Sequence, residues 1–124
     1  MFADARSRVY WVKILPARFL LWLKILRAVP DSVLWLPGEG TLRERLSGVA
    51  ARHGVDPARL VFAAVEPYEQ YRARFALADL YVDTMPYNAV TTAIDALSAG
   101  LPVLTQLGDT MVSRSAASIL HAMG

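Results

Sequence analysis

The sequence contains no cysteine and only two histidines, His53 and His121. The absence of cysteine excludes disulfides, thiolate metal sites and thiol catalysis. Two histidines argue against a histidine-rich metal site, and we expect neither a metal nor a cofactor. The charged residues, 13 Lys and Arg against 11 Asp and Glu, are scattered and form no basic run. That pattern argues against a nucleic-acid partner.

Long apolar runs are also missing. The most apolar segment, residues 19–29, is too short to cross a bilayer and contains Lys24 and Arg27. The first residues include an early acidic side chain and no apolar core followed by a cleavage site, unlike a signal peptide. We therefore expect a cytoplasmic protein with no membrane partner.

The chain is short and apolar. Its 124 residues are enough for one domain, and 55% of them are hydrophobic. This fraction is high for a small domain, whose surface must remain largely polar. We therefore expect some faces to be covered by another domain or chain.

Short apolar runs alternate along the chain with longer helical patterns. The predicted strands are 9–14, 32–36, 59–65, 80–83 and 102–105, and the predicted helices are 16–29, 41–54, 67–78, 91–100 and 110–124. The second helix has Thr41 as N-cap, Glu44 at the capping-box position and Gly54 at its end. Residues 1–8 form an N-terminal tail, and 9–124 form one domain.

This strict alternation predicts a Rossmann-like α/β fold, in which helices cover both faces of a parallel sheet. Ligands bind such sheets beyond the carboxyl ends of the strands. The loops to examine are therefore 37–40, 65–68, 84–91 and 106–110.

Thr91, Thr92 and Asp95 open the fourth predicted helix. A helix N-terminus offers free backbone N–H groups and a partial positive charge, which suit a phosphate. Threonine hydroxyls add donors, and an aspartate one turn later can accept hydrogen bonds from ribose. The alternative is a variant capping box, in which Thr92 and Asp95 only stabilise the helix start.

Two further candidates have equally simple alternatives. The first is Tyr68, Tyr71 and Arg74, of which Tyr71 and Arg74 share a helix face and could stack on a base and bond its edge. The alternative is an amphipathic helix in which Tyr71 and Phe75 are half buried and the arginines are solvated. Lys13, at the end of the first predicted strand, could reach a diphosphate or be an ordinary surface lysine.

Four segments carry a resemblance to a known family. They are "RAVPDSVLWL" (27–36), "LADLYVDTMPYN" (77–88), "TTAIDALSAGLPVLT" (91–105) and "GDTMVSRSAAS" (108–118). In order and spacing, the sequence from about Val9 to Gly124 resembles the O-GlcNAc transferase family, including its SPINDLY-like branch, and bacterial members look most similar.

The resemblance implies an incomplete C-terminal, nucleotide-sugar-binding half of a GT-B glycosyltransferase. The family motif His-Thr-Thr-x-x-Asp places two threonines on the donor diphosphate and the aspartate on its ribose, and Thr91, Thr92 and Asp95 match it. Val90 stands at the histidine position, a departure that the SPINDLY-like branch shares.

Further donor contacts follow from the same resemblance. Lys13 matches a lysine near the phosphates that would stabilise the leaving group, although the segment around it departs from the family pattern. Arg74 matches a base-binding arginine, Tyr71 a base-stacking position, and the backbone at Glu66 also reads the base. Tyr68 replaces a lysine that contacts the ribose.

The implied reaction transfers a sugar, GlcNAc from UDP-GlcNAc, to Ser or Thr of an acceptor protein, with inversion and without a metal. No residue here is a convincing general base. The family's N-terminal catalytic half and tetratricopeptide repeats are missing from this sequence, so we expect the isolated chain to be inactive. The alternatives are a non-catalytic remnant or interaction module of the same fold, or a branch that uses another donor such as GDP-fucose.

Overall fold

The structure is a computed structural model that describes residues 14–64 and 66–124. The first predicted strand, 9–14, lies outside the described residues except for Ile14. Within the described part of the chain, helices and short parallel strands alternate in the predicted order.

Helix α1 spans Pro16–Ala28 and builds the first half of the core. Proline is favoured at the first helical position, where its missing N–H has no intrahelical role. The buried side chains Phe19, Trp22, Leu23 and Leu26 recur at three- and four-residue spacing, so they form one apolar stripe. The prediction of a helix over 16–29 is therefore confirmed to within one residue.

Strands β1 (Leu34–Pro37) and β2 (Leu60–Ala63) pair in parallel, with Leu34 opposite Leu60. Helix α2 (Thr41–Arg52) and a 3-10 turn (Pro57–Arg59) connect them. A parallel pair needs such a crossover.

The ends of α2 show one wrong prediction and one correct one. Its N-cap is Gly40, which has φ +60°, and no side chain caps the helix start. Thr41 already lies inside the first turn, so the predicted capping box does not form. At the other end Gly54 has φ +74°, and the N–H groups of Gly54 and Val55 bond back to the carbonyls of Ala51 and Ala50. These two bonds are the Schellman ending that favours glycine.

The second half of the chain repeats the alternation with shorter strands. Helix α3 (Tyr68–Arg74) continues into a 3-10 turn (Phe75–Leu77), followed by β3 (Tyr81–Val82), α4 (Thr91–Ser98) and β4 (Val103–Leu104). A 3-10 turn (Val112–Arg114) leads into the last helix, α5 (Ser115–Met123). Strands β3 and β4 are parallel, with Tyr81 opposite Val103.

The described residues form two separate two-stranded ladders rather than one continuous sheet. The predicted strand 80–83 is observed only over Tyr81–Val82, and the Asp83 carboxylate that follows it binds the N–H groups of Thr84 and Ala89 and so organises a loop. The two ladders still share one interior, since Trp35 packs on the second core cluster and Val82 on the first. Among residues 14–64 and 66–124, no helix is long and apolar enough to span a membrane.

Candidate functional site

The candidate site lies beyond the carboxyl ends of β2 and β3, where α3 and α4 begin. This is the edge at which parallel α/β sheets bind ligands. The first turns of the two helices are linked across space by a hydrogen bond from the Tyr68 hydroxyl to Asp95. The geometry therefore joins two of the loops that the sequence predicted to carry ligand contacts.

Asp83 fixes the loop that leads into α4. It is 4% exposed, and its Oδ1 accepts hydrogen bonds from the backbone N–H groups of Thr84 and Ala89, both at 2.8 Å. Its Oδ2 accepts one from the Thr105 hydroxyl at 2.7 Å. Because both carboxylate oxygens are engaged in this way, Asp83 ties the loop after β3 to the strand end after β4.

Asn88 completes the loop. Its side-chain amide donates to the Thr84 carbonyl at 2.9 Å, and its backbone N–H donates to the Val112 carbonyl at 3.2 Å. The loop is thus held from both sides immediately before α4. Asn88 Oδ1 is buried and accepts no hydrogen bond from the described residues.

The N-terminus of α4 is open to an anion. Its N-cap is Val90, which has no side-chain acceptor, and no acidic residue lies in the first turn. The first intrahelical N–H is that of Ile94, which donates to the Val90 carbonyl at 3.1 Å. The N–H groups of Thr91, Thr92 and Ala93 precede it and therefore lack intrahelical acceptors.

The alternative of a capping box over Thr92 and Asp95 is wrong. Thr92 lies two residues after the N-cap rather than at it, and no side chain caps this helix. Thr91 is exposed, whereas Thr92 is 1% exposed and its Oγ1 has no hydrogen-bond partner in the described chain. A buried hydroxyl without a partner costs free energy, so its retention here needs another reason.

Asp95 shows a second unpartnered atom. The residue is 8% exposed, and its Oδ1 accepts a hydrogen bond from the Tyr68 hydroxyl at 2.8 Å. Its Oδ2 is buried without a partner among the described side chains and backbone. Residues three apart share a helix face, so Thr92 and Asp95 present their open polar atoms from neighbouring turns.

Tyr71, Arg74 and Glu66 form the α3 side of the site. Arg74 is 8% exposed; its guanidinium pairs with the Glu66 carboxylate and donates to the Ala64 carbonyl at 3.0 Å. Tyr71 is 3% exposed and contacts Phe75 edge-on, with ring centroids 5.1 Å apart. The alternative of a half-buried tyrosine beside solvated arginines is therefore wrong for Tyr71 and Arg74.

The structure thus brings together most of the predicted residues. The α3 side of the site holds Glu66, Tyr71 and Arg74. The start of α4 holds Thr91, Thr92 and Asp95. Lys13 lies outside the described residues. Where the chain is described, no group of three His, Asp or Glu side chains could hold a metal ion.

The sequence did not predict two features of this site. It placed Tyr68 beside Tyr71 and Arg74 and at the position of a replaced lysine, but it did not predict the bond from Tyr68 to Asp95, a partner 27 residues away. It also did not single out Asn88, whose side chain holds the loop before α4.

Comparison with known proteins agrees with this geometry. Residues 7–124 match the glycosyl transferase family 41 profile. A UDP-N-acetylglucosamine–peptide N-acetylglucosaminyltransferase of Caenorhabditis elegans is 39% identical over 115 residues, which cover 90% of this chain and 10% of the worm protein. A protein of Oryza sativa subsp. japonica that carries the name SPINDLY is 28% identical over 117 residues, or 90% of this chain and 13% of its own length.

A solved structure is also similar. The O-GlcNAc transferase of Thermobaculum terrenum, determined as a mutant, superimposes with a TM-score of 0.84 and 33% identity over 88% of this chain and 22% of its own. This match confirms the predicted α/β fold. The chain spans about a tenth of the curated relatives that it matches. Since the family profile covers nearly all of its residues, this chain belongs to glycosyl transferase family 41.

Proposed function

We propose that this chain is the donor-binding part of a protein O-glycosyltransferase. The donor is a nucleotide sugar, UDP-GlcNAc, and the acceptor is a Ser or Thr hydroxyl of a protein. The worm relative carries the name of that activity. Because the chain spans only a small share of such relatives, the reaction is a proposal for the longer assembly rather than for these residues alone.

One observation carries the proposal: Thr92 Oγ1 and Asp95 Oδ2 are buried and unpartnered at the start of the same helix. An oxyanion of the diphosphate would satisfy the threonine hydroxyl, and a ribose hydroxyl would satisfy the carboxylate. Threonine in a helix populates two χ1 rotamers, so a rotation that exchanges hydroxyl and methyl can turn Oγ1 toward the anion. A single ligand would then give both unpartnered atoms a hydrogen-bond partner.

The backbone supports the same assignment. The free N–H groups of the first turn of α4 and the positive end of its dipole favour an anion. The exposed Thr91 adds a second hydroxyl. In the transferase these groups, together with Lys13, would stabilise the negative charge that develops on the leaving diphosphate.

The base is assigned to the α3 side. The ion pair with Glu66 and the bond to the Ala64 carbonyl hold Arg74 at the end of the helix, where its remaining N–H groups can bond a base edge. The backbone at Glu66 would make the second contact to the base. Tyr71 is 3% exposed, so a base would contact only the rim of its ring.

No described residue is placed as a general base. His53 follows the end of α2, and its Nδ1 contacts the Val49 carbonyl at 2.9 Å; it lies toward the amino end of β2, away from the site. His121 lies in the last turn of α5. We therefore assign the remaining catalytic groups to the N-terminal catalytic half that the family resemblance implies. The acceptor protein would bind in a cleft between that half and this one.

The experiment is a calorimetric titration of the chain with UDP, GDP and uridine. We expect UDP to bind, and uridine, which lacks the diphosphate, to bind at least about tenfold more weakly, since charge-assisted hydrogen bonds are worth roughly 1.5–3 kcal/mol. Incubation with UDP-GlcNAc and an acceptor peptide should give no glycosylated product. Sugar transfer by the pure chain would refute the assignment of catalytic groups to another half.

A second candidate function rests on Val90. This valine is 50% exposed and stands where the family motif has a histidine. The candidate is a non-catalytic module of the same fold, or a branch with another donor such as GDP-fucose. Binding of GDP in preference to UDP would favour the other donor, and binding of neither nucleotide would favour the non-catalytic module.

A further inference from the structure

We propose that the groove between α1 and α2 binds an acidic amphipathic helix of a partner protein. This α1–α2 groove is lined by side chains of the two helices and of the residues that flank them. No residue of the candidate donor site lines it, so the inference does not depend on the proposed function.

The floor and walls of the α1–α2 groove are apolar. Phe19 and Leu46 are buried in the core beneath it, and Leu20, Leu42 and Val49 are partly buried side chains that pack on the same core. The groove has a volume of about 260 Å³, which is below the roughly 300–1,000 Å³ of sites that enclose a small molecule. It therefore suits a few apolar side chains of a partner better than a whole enclosed ligand.

The rim of the groove is basic. Arg45 and Arg52 are exposed and line it, and neither makes a hydrogen bond or an ion pair within residues 14–64 and 66–124. The Arg52 guanidinium lies beside Gly48, with Nη1 3.6 Å from the position that a Cβ would take. No acidic side chain of the described residues lines the groove, so its charge is complementary to an acidic partner.

The spacing of the two arginines favours a helix as that partner. Arg45 and Arg52 are seven residues apart on α2, so they lie on one side of the helix and roughly 10 Å apart along its axis. A helix that lies along the groove can present two glutamates at the same spacing, whereas a fatty acid has a single carboxylate. A second copy of this chain would bring the same arginines towards each other, because a two-fold interface is built from one patch twice. Binding of an amphipathic helix in an apolar groove is a recurring mode of peptide recognition.

The experiment measures the binding of three fluorescent helical peptides by anisotropy, without nucleotide. The acidic peptide has a leucine face and two glutamates seven residues apart beside it. The neutral peptide has glutamines in place of the glutamates, and the third keeps the glutamates but has serines in place of the leucines. We expect the acidic peptide to bind about fivefold or more tightly than the neutral one, as is typical for two partly exposed ion pairs. The serine peptide should bind at least about tenfold more weakly than the acidic one, because it buries no apolar surface.

Two double variants test whether the peptide binds at this groove. In Arg45→Gln with Arg52→Gln the acidic and neutral peptides should differ by less than about twofold, since both cations of the rim are gone. The matched control is Lys24→Gln with Arg27→Gln, which removes the same charge from exposed positions of α1 that do not line the groove. The control should retain the preference of the natural chain, and the melting temperature of each variant shows that it is folded.

Several results would overturn the inference. One is no binding of the acidic peptide, or equal binding of the acidic and neutral peptides, by the natural chain. Another is an equal loss of preference in both double variants, which would indicate general attraction to a basic protein. Displacement of the acidic peptide by decanoate would assign the groove to a fatty acid. Self-association of the natural chain in sedimentation, reversed by the acidic peptide, would assign it to a second copy.

Discussion

Replacement of Thr92 by valine should make the protein more stable and its donor site weaker. Thr92 is 1% exposed, and its Oγ1 has no hydrogen-bond partner in the described chain. The substitution exchanges a hydroxyl for a methyl group at nearly constant volume. Helix propensities of the two residues are similar, so the change acts mainly on the buried polar atom.

The magnitude follows from desolvation. A buried hydroxyl without a partner costs about 1–3 kcal/mol, so its removal should raise the free energy of unfolding by about 1–2 kcal/mol. Since the entropy of unfolding scales with chain length, each kcal/mol corresponds to roughly 4 °C in melting temperature for a chain of this size. Thr92→Val should therefore melt about 4–8 °C higher than the natural protein.

The same substitution removes a donor to the diphosphate. Loss of one hydrogen bond to a charged group should weaken UDP binding by about tenfold or more. Thermal denaturation followed by circular dichroism, with and without UDP, measures both effects on one sample. The matched control is Thr41→Val, an exposed threonine in the first turn of α2, which should change neither quantity.

Two results would refute this reasoning. A lower melting temperature for Thr92→Val would mean that the hydroxyl has a stabilising partner in the folded protein. An unchanged affinity for UDP would mean that the open atom does not face the ligand. In either case Thr92 could no longer be assigned to the diphosphate.

Two further predictions concern the loops that frame α4. Asp83→Ala leaves the N–H groups of Thr84 and Ala89 and the Thr105 hydroxyl without their acceptor. The melting temperature should therefore fall by about 10 °C or more. A fall of less than about 2 °C would show that Asp83 does not hold the loop. Gly108→Ala would place a Cβ on the Ser113 side chain and should cost about 1–3 kcal/mol in urea unfolding. An unchanged free energy of unfolding would show that residue 108 does not approach Ser113 so closely.

The helices were predictable from the sequence because their ends are marked by local chemistry. Pro16 begins α1, and Gly54 and Gly100 follow α2 and α4 with positive φ. At Gly100, as at Gly54, the bonds of a Schellman ending form, with the N–H of Leu101 donating to the Ala96 carbonyl. Turn residues act within a few positions of themselves, so a single sequence contains enough information to place them.

Strand lengths were less predictable. The apolar run 102–105 pairs only at Val103 and Leu104, and β3 is equally short. Pairing depends on the neighbouring strand as well as on apolar character. The ladder of β3 and β4 ends before Asp83 and Thr105. The side chains of these two residues bond each other, and no sequence periodicity predicts that contact.

The site was predictable where its residues are neighbours in sequence. Thr91, Thr92 and Asp95 open one helix, and their spacing alone places them on adjacent turns. The spacing could not decide between a helix cap and a ligand site. A capping box forms only if Thr92 is the N-cap residue, and the position of the N-cap depends on where the preceding loop ends. The bond from Tyr68 to Asp95 joins two helices, so only the tertiary structure reveals it.

The most direct test of the central claim is to locate the diphosphate by NMR. The ¹⁵N-labelled chain would be titrated with UDP and with inorganic pyrophosphate, and the backbone amide shifts recorded. We predict that both ligands shift the amides of Thr91, Thr92 and Ala93, and that UDP alone also shifts amides of α3 near Arg74. Saturable binding that leaves the first turn of α4 unshifted would contradict the account, because the donor site would then lie elsewhere.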